Sequence, residues 1–483
     1  MEAAPTTTAV PDPKRWLALA LVCTAFFMTV LDVSIVNVAL PSIGRSLHFS
    51  ETGLQWVVTA YAITYGGFLL LGGRAGDILG RKRMFLVGMV LFSIASLVCG
   101  LAGSTGVLIA ARTVQGLGAA IVSPATLSII TTTFDEGPER NKALGIWGAM
   151  GGSGAAAGVL FGGILTKYLG WEWIFFINVP VGALVLALTP RIVRESRAPG
   201  VGRNFDVVGA SSVTAGIALL VYAISKAPVD GWSDVTTIVL LIAAGALIAF
   251  FVVWEARVAN PLMPLSIFRV RTLAGANIVG FLLGASIFAD FFLLTLYVQN
   301  VLGFSPLKTG VTFLATAGTV VLVAGLSQWL TTRVGARPVM AVGLALNTGA
   351  LIWYAQIPVD GSYTRDLLGG YVMFGFGLAF AFIPVSIAAL AGVSHEEAGL
   401  ASGLLNTAQQ VGGAIGVAVA SSVAISRATH LLHTGSSQAA ALTSGYSLAF
   451  WVMAGVSAAG VVAALVLVRD DELEQVDEKT ALA

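Results

Sequence analysis

Gly73-Arg74-Ala75-Gly76-Asp77-Ile78-Leu79-Gly80-Arg81-Lys82-Arg83 is a compact charged stretch between two long apolar runs, Gly53 to Gly72 and Met84 to Gly103. Four cations and one acid sit where the chain leaves one greasy segment and enters the next. A short loop beside a membrane is often basic, because cations stay on the inner side. That accounts for the arginines and the lysine but not for Asp77 or for glycines at fixed offsets. Glycines at 73, 76 and 80 let two helices approach and turn sharply. The stretch therefore reads as a hinge on the inner face of a membrane protein.

Composition agrees. The 483 residues are 57% hydrophobic and 11% charged, against about 25% charged in soluble domains. A net charge of +1 gives no overall pull on nucleic acid, so charge acts here by position and not by sum. Cys23 and Cys99 both fall inside apolar runs, which predicts small buried thiols and no disulfide. The first apolar run, Trp16 to Leu40, is far longer than a signal core and is expected to stay as the first span.

A hydrocarbon core needs about 20 apolar residues per helix, and strands would have to alternate and close into a barrel. These runs do not alternate. They predict fourteen spans, at 16–40, 53–72, 84–103, 105–131, 142–166, 171–190, 206–226, 234–254, 272–299, 308–330, 338–356, 366–392, 398–425 and 445–468. With the N-terminus inside, inner segments hold 19 of the 26 lysines and arginines and outer loops hold 6, with Arg112 inside a span. That asymmetry predicts both termini in the cytoplasm. The two longest inner loops, Arg191 to Phe205 and Glu255 to Arg271, bracket one pair of spans. The expected division is a six-span half (1–190), linkers with two inserted spans (191–271) and a second six-span half with a tail (272–483). Thr332 to Arg337 faintly echoes Asp77 to Lys82, keeping a glycine and a cation but not the acid. Such a repeat implies a site between two halves near the midplane.

An ionisable residue within a span costs about 2.5–3.5 kcal/mol or more, so it is read as functional until a partner explains it. Asp32, Arg112 and Asp290 are the three cases. Asp32 and Asp290 could exchange protons, or Asp290 could meet a cationic substrate. Arg112 stays charged and could pair with Asp32 or bind an anion. Asn37, Gln115, Phe291, Gln409 and Gln410 are the candidate lining of a substrate cavity. In the fifth span Gly148, Gly151, Gly152, Ala155, Gly158 and Gly162 fall on one smooth stripe against which another helix can pack. Ser394-His395-Glu396-Glu397 is a capping-box pattern, and Asp77 could dock on that helix terminus. His430 and His433 have helical metal-ligand spacing but no third ligand, so an outer loop and no metal is the expectation. No phosphate-cradling loop ending in Lys and Ser or Thr is present, which leaves a gradient, and no cofactor, as the energy source.

These motifs together resemble the major facilitator superfamily, in its fourteen-span drug:proton antiporter (QacA/EmrB-like) branch. Gly73, Asp77, Gly80, Arg81 and Lys82 match the superfamily's gating-loop signature. Leu31, Asp32, Asn37, Ala39, Leu40 and Pro41 resemble the branch's first-span motif, and Arg112, Gln115, Gly116 and Gly118 its fourth. Gly145, Gly154, Gly158, Gly162 and Gly163 match the antiporter motif in spacing, except that Val159 stands where the family has proline. The resemblance implies an all-α polytopic major facilitator fold, not an enzyme, that works as a monomer in the bilayer. It implies exchange of small amphipathic, cationic or neutral compounds for protons, with Asp32 as coupling carboxylate and Arg112 modulating it. The alternatives are proton-coupled uptake, or a sensor without transport. Arginine outnumbers lysine 19 to 7 and alanine and glycine are abundant, a composition that suggests a bacterium with a GC-rich genome; the expected location is its plasma membrane.

Overall fold

The computed structural model of the protein describes residues 13–134, 138–197, 206–259, 261–262, 265, 268, 271–390 and 398–469. Every regular element among them is helical. In chain order they are α1 (Arg15–Ser46), a single turn α2 (Glu51–Leu54), α3 (Trp56–Leu79), α4 (Arg81–Gly100), α5 (Thr105–Thr133) and α6 (Pro138–Tyr168). There follow a short α7 (Trp173–Phe176) running into α8 (Asn178–Ile192), then α9 (Val207–Asp230) and α10 (Val235–Glu255). The last group is α11 (Arg271–Leu296), α12 (Pro306–Val334), α13 (Ala336–Tyr354), α14 (Leu368–Leu390), α15 (Ala398–His433) and α16 (Gln438–Leu467). Twelve of these elements are long and apolar enough to cross a membrane, counting α7 with α8 as one. With α6 and α13 they make the fourteen spans expected from the runs.

The helices begin where side chains can satisfy the first orphan amides. Ser50, Ser104, Ser305 and Ser437 accept from Gly53, Val107, Lys308 and Ala440, and Asp206 and Asp234 cap α9 and α10. Several helices outrun the apolar stretches, because a helix can continue past the hydrocarbon edge into water. Three expectations change accordingly. The supposed turn from Gly73 is helical to Leu79, and only Gly80 breaks it, with φ of 115°. Gly335 does the same between α12 and α13 with φ of 92°, so the faint sequence echo is a true backbone repeat that only glycine adopts without strain. His430 and His433 lie in the last turn of α15, not in a loop.

The chain packs as two bundles. At the end where α11 finishes in a π-helix (Tyr297–Val301), one core joins Leu31, Ile35 and Leu40 of α1 to Leu294 of α11, Phe313 of α12 and Phe450 of α16. At the Gly80 end the cores are separate. One holds Leu19, Phe85 and Ile129 of the first bundle, the other Leu283, Met340 and Val385 of the second. Leu70, packed with Ala401 and Leu404, is the apolar link near that end among the described residues. Helix α9 lies along the seam, sharing a core with Ala62 and Ile63 of α3 and Ala414 and Ala418 of α15. Its Thr214 packs on Gly67 of α3, and the Ser422 hydroxyl of α15 donates to its Ile224 carbonyl at 2.7 Å. Only about a sixth of α10 is covered, so it lies outermost.

Candidate functional site

Asp32 and Arg112, 80 residues apart, meet inside the first bundle. The guanidinium Nη1 donates to Asp32 Oδ2 at 2.5 Å, with the two side chains 0% and 1% exposed. Two charges removed from water cost several kcal/mol each unless geometry and further hydrogen bonds offset it. Those bonds are present. Asp32 Oδ1 accepts from Gln115 Nε2 and Asn178 Nδ2, both at 2.8 Å. Arg112 also donates to Gln115 Oε1 at 2.7 Å and, through Nε, to the Val57 carbonyl at 2.9 Å. Its guanidinium carbon lies 4.3 Å from the Tyr61 ring centroid and 5.7 Å from that of Phe175, a desolvated cation–π contact. Ser96 accepts from Gln115 and Asn178. Helices α1, α3, α4, α5 and α8 are thereby tied to one charged centre.

Asn178, Ser96 and Tyr61 are the partners that sequence reasoning missed. Cys99, expected only as packing, points its sulfur at Gln115 Oε1 at 3.7 Å. Gln115, expected along the cavity, is fully buried with its amide spent on Asp32, Ser96 and Arg112.

Asp290 sits in the second bundle under opposite conditions. It is 1% exposed, and its Oδ1 is buried without a hydrogen-bond partner among the described residues. Tyr354 and Tyr371 lie within electrostatic reach, their rings 5.9 Å apart. Phe291 stacks on Phe313 at 5.0 Å and meets Phe374 edge-on. Asn37 Oδ1, Gln409 Nε2 and Gln410 Oε1 are buried without protein partners; Gln410 approaches Gly66 of α3 across the seam.

At the Gly80 turn, Asp77 accepts from Arg81 Nη2 at 2.9 Å. The expected dock at Ser394 to Glu397 lies outside the described residues. A residue the motif did not indicate, Glu195, caps α4: its carboxylate accepts the Lys82 and Arg83 amides, both at 3.1 Å. Lys82 Nζ donates to the Pro190 carbonyl at 2.9 Å, and the Arg81 amide to the Ser196 carbonyl at 3.0 Å. The segment after α8 is thus strapped to the turn.

The antiporter-motif glycines make contacts on two sides. A Cβ on Gly154, Gly158 or Gly162 would meet α1 at Phe27 and Val30, at Leu31 and Ser34, and at Ile35 and Val38. That is one step of four residues on each helix, as ridge-to-groove packing requires. Gly163 faces Pro306 and Leu307, and the Val159 carbonyl approaches Gly310, both on α12. Gly145 lies in the same helix. Helix α6 is therefore a slat between the bundles. Groups of three or more metal-ligating side chains are absent among the described residues.

A family model described as Major Facilitator Superfamily matches residues 22–417. The puromycin resistance protein pur8 of Streptomyces alboniger is 39% identical over 97% of this chain and 94% of its own length. The cephamycin export protein CmcT of Amycolatopsis lactamdurans is 41% identical over 83% of both chains. Among solved structures, a bacterial homologue of the human lysosomal transporter Spinster superposes with a TM-score of 0.68 at 15% identity, covering 96% of this chain and 99% of that one.

Proposed function

Because the chain belongs to the Major Facilitator Superfamily, a family of transporters and not of enzymes, we propose that it exports small amphipathic, antibiotic-like compounds in exchange for protons by alternating access. Supporting the substrate class are relatives named for puromycin resistance and cephamycin export that align with most of the chain. The observation that carries the transport mode is the asymmetry of the bundles, fused into one core at the π-helix end and holding separate cores at the Gly80 end. Residues 1–190 and 272–483 act as the two moving halves, and 191–271 link them. The cation count supports a cytoplasmic Gly80 end, with both termini on that side. On that assignment the protein faces inward, in the plasma membrane of a bacterium, as a monomer.

Asp32, Arg112 and Asp290 are the charged or ionisable groups inside the spans on which coupling depends, and Asn37, Phe291, Gln409 and Gln410 line the route between halves. Gly73, Asp77, Gly80, Arg81 and Lys82 form the cytoplasmic gate. The test is transport in proteoliposomes with an imposed pH gradient, using puromycin and a cephamycin as probes and Asp32→Asn as comparison. Gradient-driven movement that the substitution abolishes is the expected result. Movement that ignores the gradient for every compound refutes proton coupling.

A further inference from the structure

We infer that the two intramembrane carboxylates do different work: Asp290 is the group that loads and releases the proton, while Asp32 is a fixed negative charge that holds the first bundle together. This deepens the proton-coupled reading and rests on it.

The contrast is in the hydrogen bonds. Asp32 has three donors on its two oxygens, one of them a guanidinium. Adding a proton to either oxygen would displace a donor and leave Arg112 without its counter-charge in a site closed to water, a loss comparable to breaking a buried ion pair. Asp290 is only 1% exposed, yet its buried Oδ1 meets no donor among the described residues. An ionised carboxylate accepts only, whereas the acid form carries its own hydrogen and no charge. Enclosure without a donor or a cation is tolerable for the acid and costly for the anion.

The titratable neighbours do not alter this balance. On α13 the group facing Asp290 is Tyr354, whose hydroxyl is itself buried without a partner, and on α14 it is Tyr371, which accepts from Thr312 at 3.3 Å. Helices α12 and α16 bring the rings of Phe313 and Phe450 to the same aromatic cluster. Helix α15 meets α11 with Gly412, Gly413 and Gly416 at Phe281, Phe288 and Ala285, and α1 meets the same core with Leu31 and Ile35; no cation appears among these groups in the described residues. The first helix of each half thus carries one carboxyl. In the first half α5 meets it with an arginine, and in the second half α13 and α14 meet it with tyrosines.

During a cycle the O–H bond of the Asp290 acid breaks, the proton passes to water on the cytoplasmic side, and the bond is remade with a proton from outside. The unpaired Tyr354 hydroxyl is the donor that can turn to the transient carboxylate. Asp32 keeps its charge throughout and moves with its bundle.

Infrared difference spectroscopy of the full chain in lipid nanodiscs tests the assignment without needing a substrate. The expected spectrum at neutral pH has a carboxylic-acid carbonyl band that disappears in Asp290→Asn and persists in Asp32→Asn. Absence of the band in the native protein, or its loss in Asp32→Asn alone, overturns the inference. Puromycin-loaded proteoliposomes provide the second readout. Asp290→Asn is expected to lose gradient-driven transport, and exchange of internal for external puromycin at equal pH separates uncoupling from misfolding. Should exchange also vanish, Tyr354→Phe, which removes only a hydroxyl, is expected to shift the pH of half-maximal transport, and an unmoved profile counts against the inference. Gradient-driven transport by Asp290→Asn at the native level overturns it. Native protein whose transport ignores the gradient defeats the coupled reading itself, whatever the infrared result.

Discussion

Replacing Arg112 by glutamine tests the charged centre of the first bundle. The guanidinium makes bonds of 2.5, 2.7 and 2.9 Å to Asp32, Gln115 and the Val57 carbonyl and lies over Tyr61. Glutamine cannot reproduce the charge, so Asp32 Oδ2 is left buried and unmatched while Oδ1 keeps its two amide donors. Breaking a buried pair from one side costs about 3–5 kcal/mol, and this is the expected loss. Asp32→Asn alone leaves the cation uncompensated and falls in the same range. The double variant is electrically neutral, and its loss is expected to fall short of the sum of the singles by up to about 3 kcal/mol. Arg112→Lys keeps the charge without the forked donors and is expected between native and glutamine. Equilibrium unfolding in mixed micelles, followed by tryptophan fluorescence, measures all four. A glutamine variant within about 1 kcal/mol of native, or strictly additive singles, would refute the claim that this pair holds the bundle.

Other expectations follow from single contacts. A methyl on Gly158 would fall 2.7 Å from the Leu31 carbonyl, so Gly158→Ala is expected to cost about 1–3 kcal/mol in the same unfolding assay. Gly76→Ala meets nothing within 4 Å and is the matched control, expected to be neutral or slightly stabilising. Removing the Glu195 cap with alanine should speed hydrogen exchange at the Lys82 and Arg83 amides that it accepts, and unchanged exchange there would show that the strap does not hold the turn. Asp234 is held below the ordinary carboxylate range by the backbone amide of Thr237 and by Thr236. Its capping contribution is therefore present above the usual aspartate value and lost as pH falls through the lowered one. Protection of the Thr236 and Thr237 amides, relative to their intrinsic exchange rate at each pH, is expected to fall on acidification in native protein and to be low already at neutral pH in Asp234→Ala, the two converging in acid.

The number of spans and their order were legible because a helix in lipid must satisfy its own backbone, which forces long apolar runs. Gly80 and Gly335 were legible as hinges because a positive φ restricts the residue type. Asp32, Arg112 and Asp290 stood out for one reason, the cost of charge in an apolar run. Their partners did not. Asn178, Ser96 and Cys99 are tolerated in apolar runs at little cost, and their meeting depends on the rotation of α4 and α8 about their axes, which no spacing along one helix records. Gln115 illustrates the limit: its helix face was readable, but whether that face turned to the cavity or to Asp32 was set by neighbours far away in sequence. Glu195 carried a weak signal, an acid positioned to cap a helix 112 and 113 residues away, which only the fold could complete.

Val159 bears on how the halves separate. Proline at that position would remove an amide donor and bend α6. Valine keeps the ladder intact, and α6 lies continuous from Pro138 to Tyr168. A helix without that break can press its glycines on α1 and its 159–163 edge on α12 at once, so the contact between halves is made by backbone surfaces with few side chains to unlock. Among the described residues, the polar bridge from α1 to the π-helix that ends α11 is a single bond, Gln299 Nε2 to the Val38 carbonyl at 2.8 Å. One such bond is worth about 0.5–1.5 kcal/mol net. That is little enough to be exchanged in each cycle, whereas the several bonds of the Asp32 centre are not. The molecule thus concentrates its strong polar interactions inside one half and leaves weak ones across the seam, as rocking of a rigid half requires.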